Sequence, residues 1–181
     1  VTIGVFDSGV GGLTVLRALH EQLPHLPTAY LGDTARVPYG TRSRETVVKY
    51  ASNAARFLSE KEPLSMLIVA CNTASAVAID ALTSQLDIPV IGVIEPTARS
   101  AIELSKNGRI GVIGTSGTIQ SGAYEAAIRD LESDAKIFSK PCPLFVPLAE
   151  EGWIDKDDSI VQQVIERYLV ELVDEDIDTL I

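Results

Sequence analysis

The sequence predicts an α/β protein built from two similar, doubly wound lobes with mainly parallel sheets. Three observations predict it. Short, nearly all-apolar and β-branched runs alternate with longer helical patterns, which is the rhythm of βαβ units. These runs show little polar alternation, as expected of parallel strands covered by helices on both faces. The run Ile3-Gly4-Val5-Phe6 returns as Ile110-Gly111-Val112-Ile113, each followed by a turn rich in Gly, Ser and Thr and then by a helical pattern.

Taken in order, strands are expected over 2–6, 28–31, 66–70, 90–93 and 109–113, and helices over 13–23, 44–60, 75–86, 97–105 and 118–131. The last five residues, Ile177-Asp178-Thr179-Leu180-Ile181, read as the opening of a further apolar strand and repeat the pattern of Leu64-Ser65-Met66-Leu67-Ile68. Two lobes follow, 1–95 and 96–181, with the boundary near Glu95-Pro96 and the second copy incomplete.

Composition narrows the function. With 181 residues, 46% of them hydrophobic, the chain can bury a sizeable core. Its formal charge of -10 argues against nucleic acid or an anionic membrane as partner, since readers of phosphate backbones gather Lys and Arg on one face. No apolar run reaches the roughly 18 residues of a membrane span, and the start does not read as a signal peptide. The two cysteines, Cys71 and Cys142, form no C-x-x-C pair, so neither a zinc site nor a disulfide framework has support, and a reducing cytoplasm is expected. An acidic chain that binds a small anion must build local positive potential, most simply from backbone N–H groups at helix N-termini.

Four segments could carry chemistry. Asp7-Ser8-Gly9-Val10-Gly11-Gly12 joins the first strand to the first helix, and its glycines permit a tight turn with exposed N–H groups. It is not a dinucleotide fingerprint, because Thr14 stands where the third glycine belongs, and it lacks the Gly-Lys-Ser/Thr of a P-loop. An ordinary strand-to-helix turn capped by Asp7 or Ser8 explains it equally well. Cys71-Asn72-Thr73-Ala74-Ser75 places a thiol between a strand end and a helix start, where the helix dipole is expected to lower its pKa and make it a base or a nucleophile. A small buried cysteine beside a Thr73 or Ser75 cap is the plainer alternative.

The third segment, Gly32-Asp33-Thr34-Ala35-Arg36-Val37-Pro38-Tyr39-Gly40, is long for a βα loop, and its Pro-Tyr-Gly turn could present N–H groups and a phenol over a pocket. The fourth, 143–152, is apolar between prolines and ends in the pair Glu150-Glu151, which a solvated helix end explains as readily as a site. Other chemistries drop out. His20 and His25 flank Pro24 away from every strand end, so no Cys-His or Ser-His-Asp system is available. Gly114-Thr115-Ser116-Gly117-Thr118 fails the nucleophile-elbow pattern at Thr118. No strand-end lysine offers a pyridoxal Schiff base.

In this order, Asp-Ser-Gly-x-Gly-Gly at 7–12, Pro-Tyr-Gly at 38–40, Cys-Asn-Thr-Ala-Ser at 71–75 and Pro-Leu-Phe-Val-Pro-Leu-Ala-Glu-Glu-Gly at 143–152 resemble the glutamate racemases of the aspartate/glutamate racemase family. The resemblance covers the whole chain. It implies two α/β lobes with a cleft between them and a cofactor-free reaction in which two cysteines face opposite sides of the substrate's α-carbon. It implies L- and D-glutamate as substrates, D-glutamate for peptidoglycan as the product, a cytoplasmic enzyme, no metal, and room for a homodimer.

By motif position Cys71 would be one base, with Asp7 its carboxylate partner. Glu150 would be the acidic group across the cleft, subject to a one-position ambiguity with Glu151. Asp7, Ser8, Pro38, Tyr39, Gly40, Cys71, Asn72 and Thr73 would hold the substrate. The family's second cysteine follows Asp-Thr-Leu-Ile in Gly-Cys-Thr-His, and Asp178-Thr179-Leu180-Ile181 is where this sequence stops. The internal repeat also puts the counterpart of Cys71 just beyond Ile181. Cys142 lies outside the family's catalytic motif and reads as structural, so the 181-residue chain alone is expected to be inactive. Two readings compete: a racemase for aspartate or a related amino acid, and a binding module for an anionic amino acid without catalysis.

Overall fold

The computed structural model describes residues 2–181, which fall into two compact units, one ending at Ile94 and one running from Glu95 to Ile181. The first holds β1 (Thr2–Asp7), α1 (Leu13–Gln22), β2 (Thr28–Gly32), a short 3-10 turn (Tyr39–Thr41), α2 (Arg44–Lys61), β3 (Leu64–Val69), α3 (Asn72–Val77), α4 (Ile79–Gln85) and β4 (Val90–Gly92). Its four strands are all parallel in the order β2-β1-β3-β4.

Alternation along β1 explains how this sheet is covered on both sides. Ile3 and Val5 join Ala70 and pack against Val15, Leu16 and Leu19 of α1. Phe6 points the other way, into a cluster with Val47, Ala51, Ala54, Ala55 and Leu58 of α2 and with Ala74, Ala78 and Leu82. Helix α2 forms because residues 47, 51, 54 and 58 recur at helical spacing and Ser43 caps its start by accepting from the Thr46 N–H at 3.3 Å. It stops at Glu62, which Pro63 forces into an extended conformation. Each large apolar side chain buried here contributes roughly 1.5–3 kcal/mol.

The second unit holds α5 (Ile94–Leu104), whose first residue belongs to the first unit, then β5 (Arg109–Gly114), α6 (Ser116–Gln120), α7 (Ala123–Leu131), β6 (Lys136–Pro141), α8 (Phe145–Glu150), α9 (Ser159–Val173) and β7 (Thr179–Leu180). Its strands are parallel in the order β6-β5-β7.

The sequence expectations need four corrections. The single helix expected over 75–86 begins at Asn72 and is broken at Ala78, yet Ala74, Ala78 and Leu82 all face the core, so the apolar period runs through the break. The helix expected over 118–131 is broken at Gly122, whose φ of +66° is a left-handed conformation that favours glycine. Strand β6 was not expected, because Lys136, Ser139 and Lys140 interrupt its apolar pattern; it lies at a sheet edge, where such residues are tolerated. Helix α9 was also not expected, although Asp158 caps it by accepting from Ile160 and Val161. Among the described residues no helix is long and apolar enough to cross a membrane.

Candidate functional site

Strands β1 and β3 are neighbours, but their connections leave on opposite faces, α1 covering one and α3 and α4, packed beside α2, the other. The carboxyl ends of these two strands therefore flank the sheet's topological switch point, where doubly wound proteins bind ligands. Asp7 ends β1 and Cys71 follows β3, so 64 positions of chain (71 − 7) separate two groups that the sheet brings side by side.

The Asp7 carboxylate is buried and organises the turn after it. Its Oδ2 accepts from Gly9 N–H at 3.1 Å and from Gly12 N–H at 3.0 Å. Gly12 is required by this closeness: a Cβ there would lie 2.6 Å from that of Asp7 and 3.0 Å from that of Ala70. Gly32 is required too, since its Cβ would fall 2.4 Å from the Gly9 carbonyl oxygen. The Tyr30 hydroxyl donates to that same carbonyl at 3.2 Å. Burial first, then the charge of Asp7, pushes the Tyr30 phenol up to about 12.

Cys71 is 6% exposed, and its thiol donates to Ser8 Oγ at 3.2 Å. Its sulfur also accepts from Ala74 N–H at 3.4 Å, so the cysteine itself caps α3. The expectation that the helix start lowers the thiol pKa is overturned. Burial pushes it up, the bonds from Ser8 and Ala74 offset this only in part, and the nearby Asp7 charge adds to the rise. Helix α3 is six residues long, and dipole effects at such an end are small beside desolvation of a buried thiolate.

Behind Cys71 lies the third segment. The Val37–Pro38 peptide is cis, Pro38 and Gly40 flank the 3-10 turn's first residue, and Tyr39 is 1% exposed. Its phenol is not presented to a pocket. It donates to Asp33 Oδ2 at 2.6 Å, while Arg36 Nη1 reaches the same oxygen at 3.1 Å. Burial and the Asp33 bond push the Tyr39 phenol far above its usual range. Thr73 is buried in the first turn of α3 and Asn72 is exposed there. Ser75 ties the strand ends together, donating to Val69 O at 2.8 Å and accepting from Val93 N–H at 3.2 Å.

Asp7, Ser8, Cys71 and the 38–40 turn thus belong to one end of the first unit's sheet. Glu150 belongs to the second unit, where it closes α8, and like Glu151 it is exposed. Cys142 is 1% exposed, and its Sγ donates to Lys140 O at 3.6 Å. Two residues around the site had no role assigned from sequence, Asp33 and Tyr30, and Ser75, read there only as an alternative helix cap, instead joins two strand ends while Cys71 caps α3. Asp33 had a signal, since it follows β2 directly, much as Asp7 closes β1.

Fold and site together define a doubly wound α/β protein with a thiol and a carboxylate at its switch point. The chain belongs to the Asp/Glu/Hydantoin racemase family, whose model matches residues 3–181. It is 52% identical over 179 residues to the glutamate racemase of Geobacter metallireducens, a match covering 99% of this chain and 65% of that protein. Among solved structures it is similar to glutamate racemase isoform RacE1 from Bacillus anthracis (TM-score 0.93, 48% identity, 99% of this chain and 66% of that one). It is similar too to the Francisella tularensis glutamate racemase solved in complex with D-glutamate (TM-score 0.90, 42% identity, 99% and 66%). The chain spans about two thirds of the length of these relatives.

Proposed function

We propose that this chain carries one side of the site of a glutamate racemase, a cofactor-independent enzyme that interconverts L- and D-glutamate by moving the α-proton between two thiols. The observation that carries this reading is the Cys71 thiol hydrogen-bonded to Ser8, next to buried Asp7, in a chain about half identical to glutamate racemases. Cys71 is the base on one face of the α-carbon. In the free protein burial favours its neutral form, and an arriving α-ammonium group would offset the Asp7 charge and favour the thiolate. Ser8, Asn72, Thr73 and the Pro38-Tyr39-Gly40 turn hold the substrate's carboxylate and amino groups, and Glu150 serves the opposite face.

The product suits peptidoglycan synthesis in the cytoplasm, and a homodimer is compatible with this role. The partner is a small amino acid; neither nucleic acid nor membrane is involved.

These 181 residues hold one other thiol, Cys142, which is buried and bonded to its own strand end. A base on one face can only return a proton where it took it, so we expect the chain alone to exchange the α-hydrogen of one enantiomer slowly and without inversion. Each enantiomer is incubated with the folded chain in D₂O, and deuterium uptake and optical rotation are followed together. Uptake without loss of rotation supports the reading. No uptake by either enantiomer overturns the role of Cys71. Rotation decaying at the roughly 1–10³ s⁻¹ of intact enzymes shows that a second thiol is not needed.

A further inference from the structure

We infer that Asp33 is a positioning residue of the Cys71 site, acting through the Tyr39 phenol to fix the 38–40 turn from which substrate would be held; this rests on the racemase reading above. Asp33 stands at the carboxyl end of β2, and its backbone N–H donates to the Asp7 carbonyl at 2.9 Å, so it is anchored to the strand that carries Asp7. It is one of few buried polar residues, 8% exposed. Its carboxylate gathers two donors on one oxygen, the Tyr39 hydroxyl and the Arg36 guanidinium. Arg36 lies over the Tyr50 ring at 5.1 Å from its centroid, and Tyr50 packs against Tyr39 with centroids 5.6 Å apart. The Tyr39 ring also meets Phe6, within the same apolar cluster as Cys71.

The arrangement has a consequence for recognition. With its hydroxyl drawn inward by Asp33, Tyr39 fixes the course of its own backbone and that of Gly40, both buried at the strand-end side of the unit. A turn pinned in this way binds a small anion with less ordering on association, which is how preorganisation raises affinity. A charge-assisted bond this short is strong enough to do the pinning. Asp33 reaches the substrate only through Tyr39 and takes no part in proton transfer.

The test uses the 181-residue chain and its variants Asp33→Asn, Tyr39→Phe and the double variant, with folding checked by circular dichroism and thermal melting. Alkylation of Cys71 by iodoacetamide is followed by peptide mass spectrometry with increasing glutamate. Tyr39→Phe keeps the ring and removes only the bond. Each single variant is expected to raise the half-protecting glutamate concentration about tenfold, and Asp33→Asn, which lies outside the substrate-holding turn, to leave the alkylation rate without glutamate unchanged. The double variant should be no worse than the worse single one, because both remove one interaction.

A merely structural role would speed Cys71 alkylation by Asp33→Asn without glutamate, whereas a lower melting temperature is expected under either role because a buried bond is lost. That faster alkylation overturns the inference, as does protection unchanged from the parent chain. Absence of glutamate protection in the parent chain overturns the racemase reading itself, and this inference with it.

Discussion

The two units repeat one scaffold and put different groups on it. In each, a central strand pairs in parallel with the strand that follows it and, on its other side, with a later one: β1 between β2 and β3, β5 between β6 and β7. The registers agree. Gly4 pairs with Leu67 as Gly111 pairs with Leu180, and Ile3 pairs with Thr28 as Ile110 pairs with Ile137. Even the tight spots correspond, since a Cβ on Gly4 would lie 2.7 Å from Leu64 and one on Gly111 would lie 2.7 Å from Ile177.

At the strand ends the likeness stops. Where the first unit has Asp7 and Ser8, the second has Gly114 and Thr115. Where the Asp33 N–H donates to the Asp7 carbonyl, the Cys142 N–H donates to that of Gly114 at 2.8 Å. The repeat supplies positions and the residues placed there supply chemistry, so the fold alone would not have told the two units apart.

The largest effect that could break this comparison concerns the thiols. Cys71→Ala is expected to lower α-hydrogen exchange of the responsive enantiomer in D₂O by about 10²–10⁴, the usual worth of a positioned base. Cys142→Ala should leave exchange within about twofold of the parent chain, because its thiol is tied to Lys140 in the other unit. Equal losses in both would mean that the second unit contributes chemistry of its own. A smaller effect is expected at Gly32, whose counterpart by register is Pro141. Gly32→Ala drives a methyl against the Gly9 carbonyl, a backbone atom that cannot step aside without moving the Asp7 turn. We expect a stability loss of about 1–3 kcal/mol in denaturant titrations together with a lower exchange rate. An unchanged rate would show that the Asp7 turn tolerates displacement.

Much of the scaffold was legible because its central strands are dictated locally. β1, β3 and β5 are apolar and β-branched, and the repeat between 3–6 and 110–113 matches the observed registers. The edge strand β6 was not legible, since Lys136-Ile137-Phe138-Ser139-Lys140 has neither the continuous apolar run of a buried strand nor clean alternation. Gly122 was a visible breaker that the helical period outvoted. At the site, spacing singled out the segments of Asp7, Cys71 and Tyr39 but could not show which way a side chain turns. The inward phenol of Tyr39 and the raised pKa of Cys71 both come from burial, a property of the packed unit that no local motif contains.

The smallest expected effect sets the two units apart at low pH. In the second unit the Asp178 carboxylate ties the 105–107 loop to β7, accepting from Ser105 Oγ at 2.7 Å and from the backbone N–H groups of Lys106 and Asn107. The Ser105 bond first, with the two backbone bonds also contributing, holds its pKa down to about 2. Because the folded value lies below the unfolded one, the tie's contribution is present above about pH 4 and is lost as pH falls toward 2. In the first unit Glu45 is also held low, but by its own backbone N–H and by Ser43 at the start of α2, a local bond that joins no distant segments. Acid should therefore loosen the second unit first. The chain's single tryptophan, Trp153, lies in that unit. We expect its fluorescence to change between about pH 4 and 2 before the far-ultraviolet circular dichroism of the whole chain does. Asp178→Asn should move that early change to neutral pH or remove it, since the amide keeps the shape and loses the charge. Coincident transitions that the substitution does not alter would mean that the Asp178 tie carries no weight in solution, as is common for exposed charges.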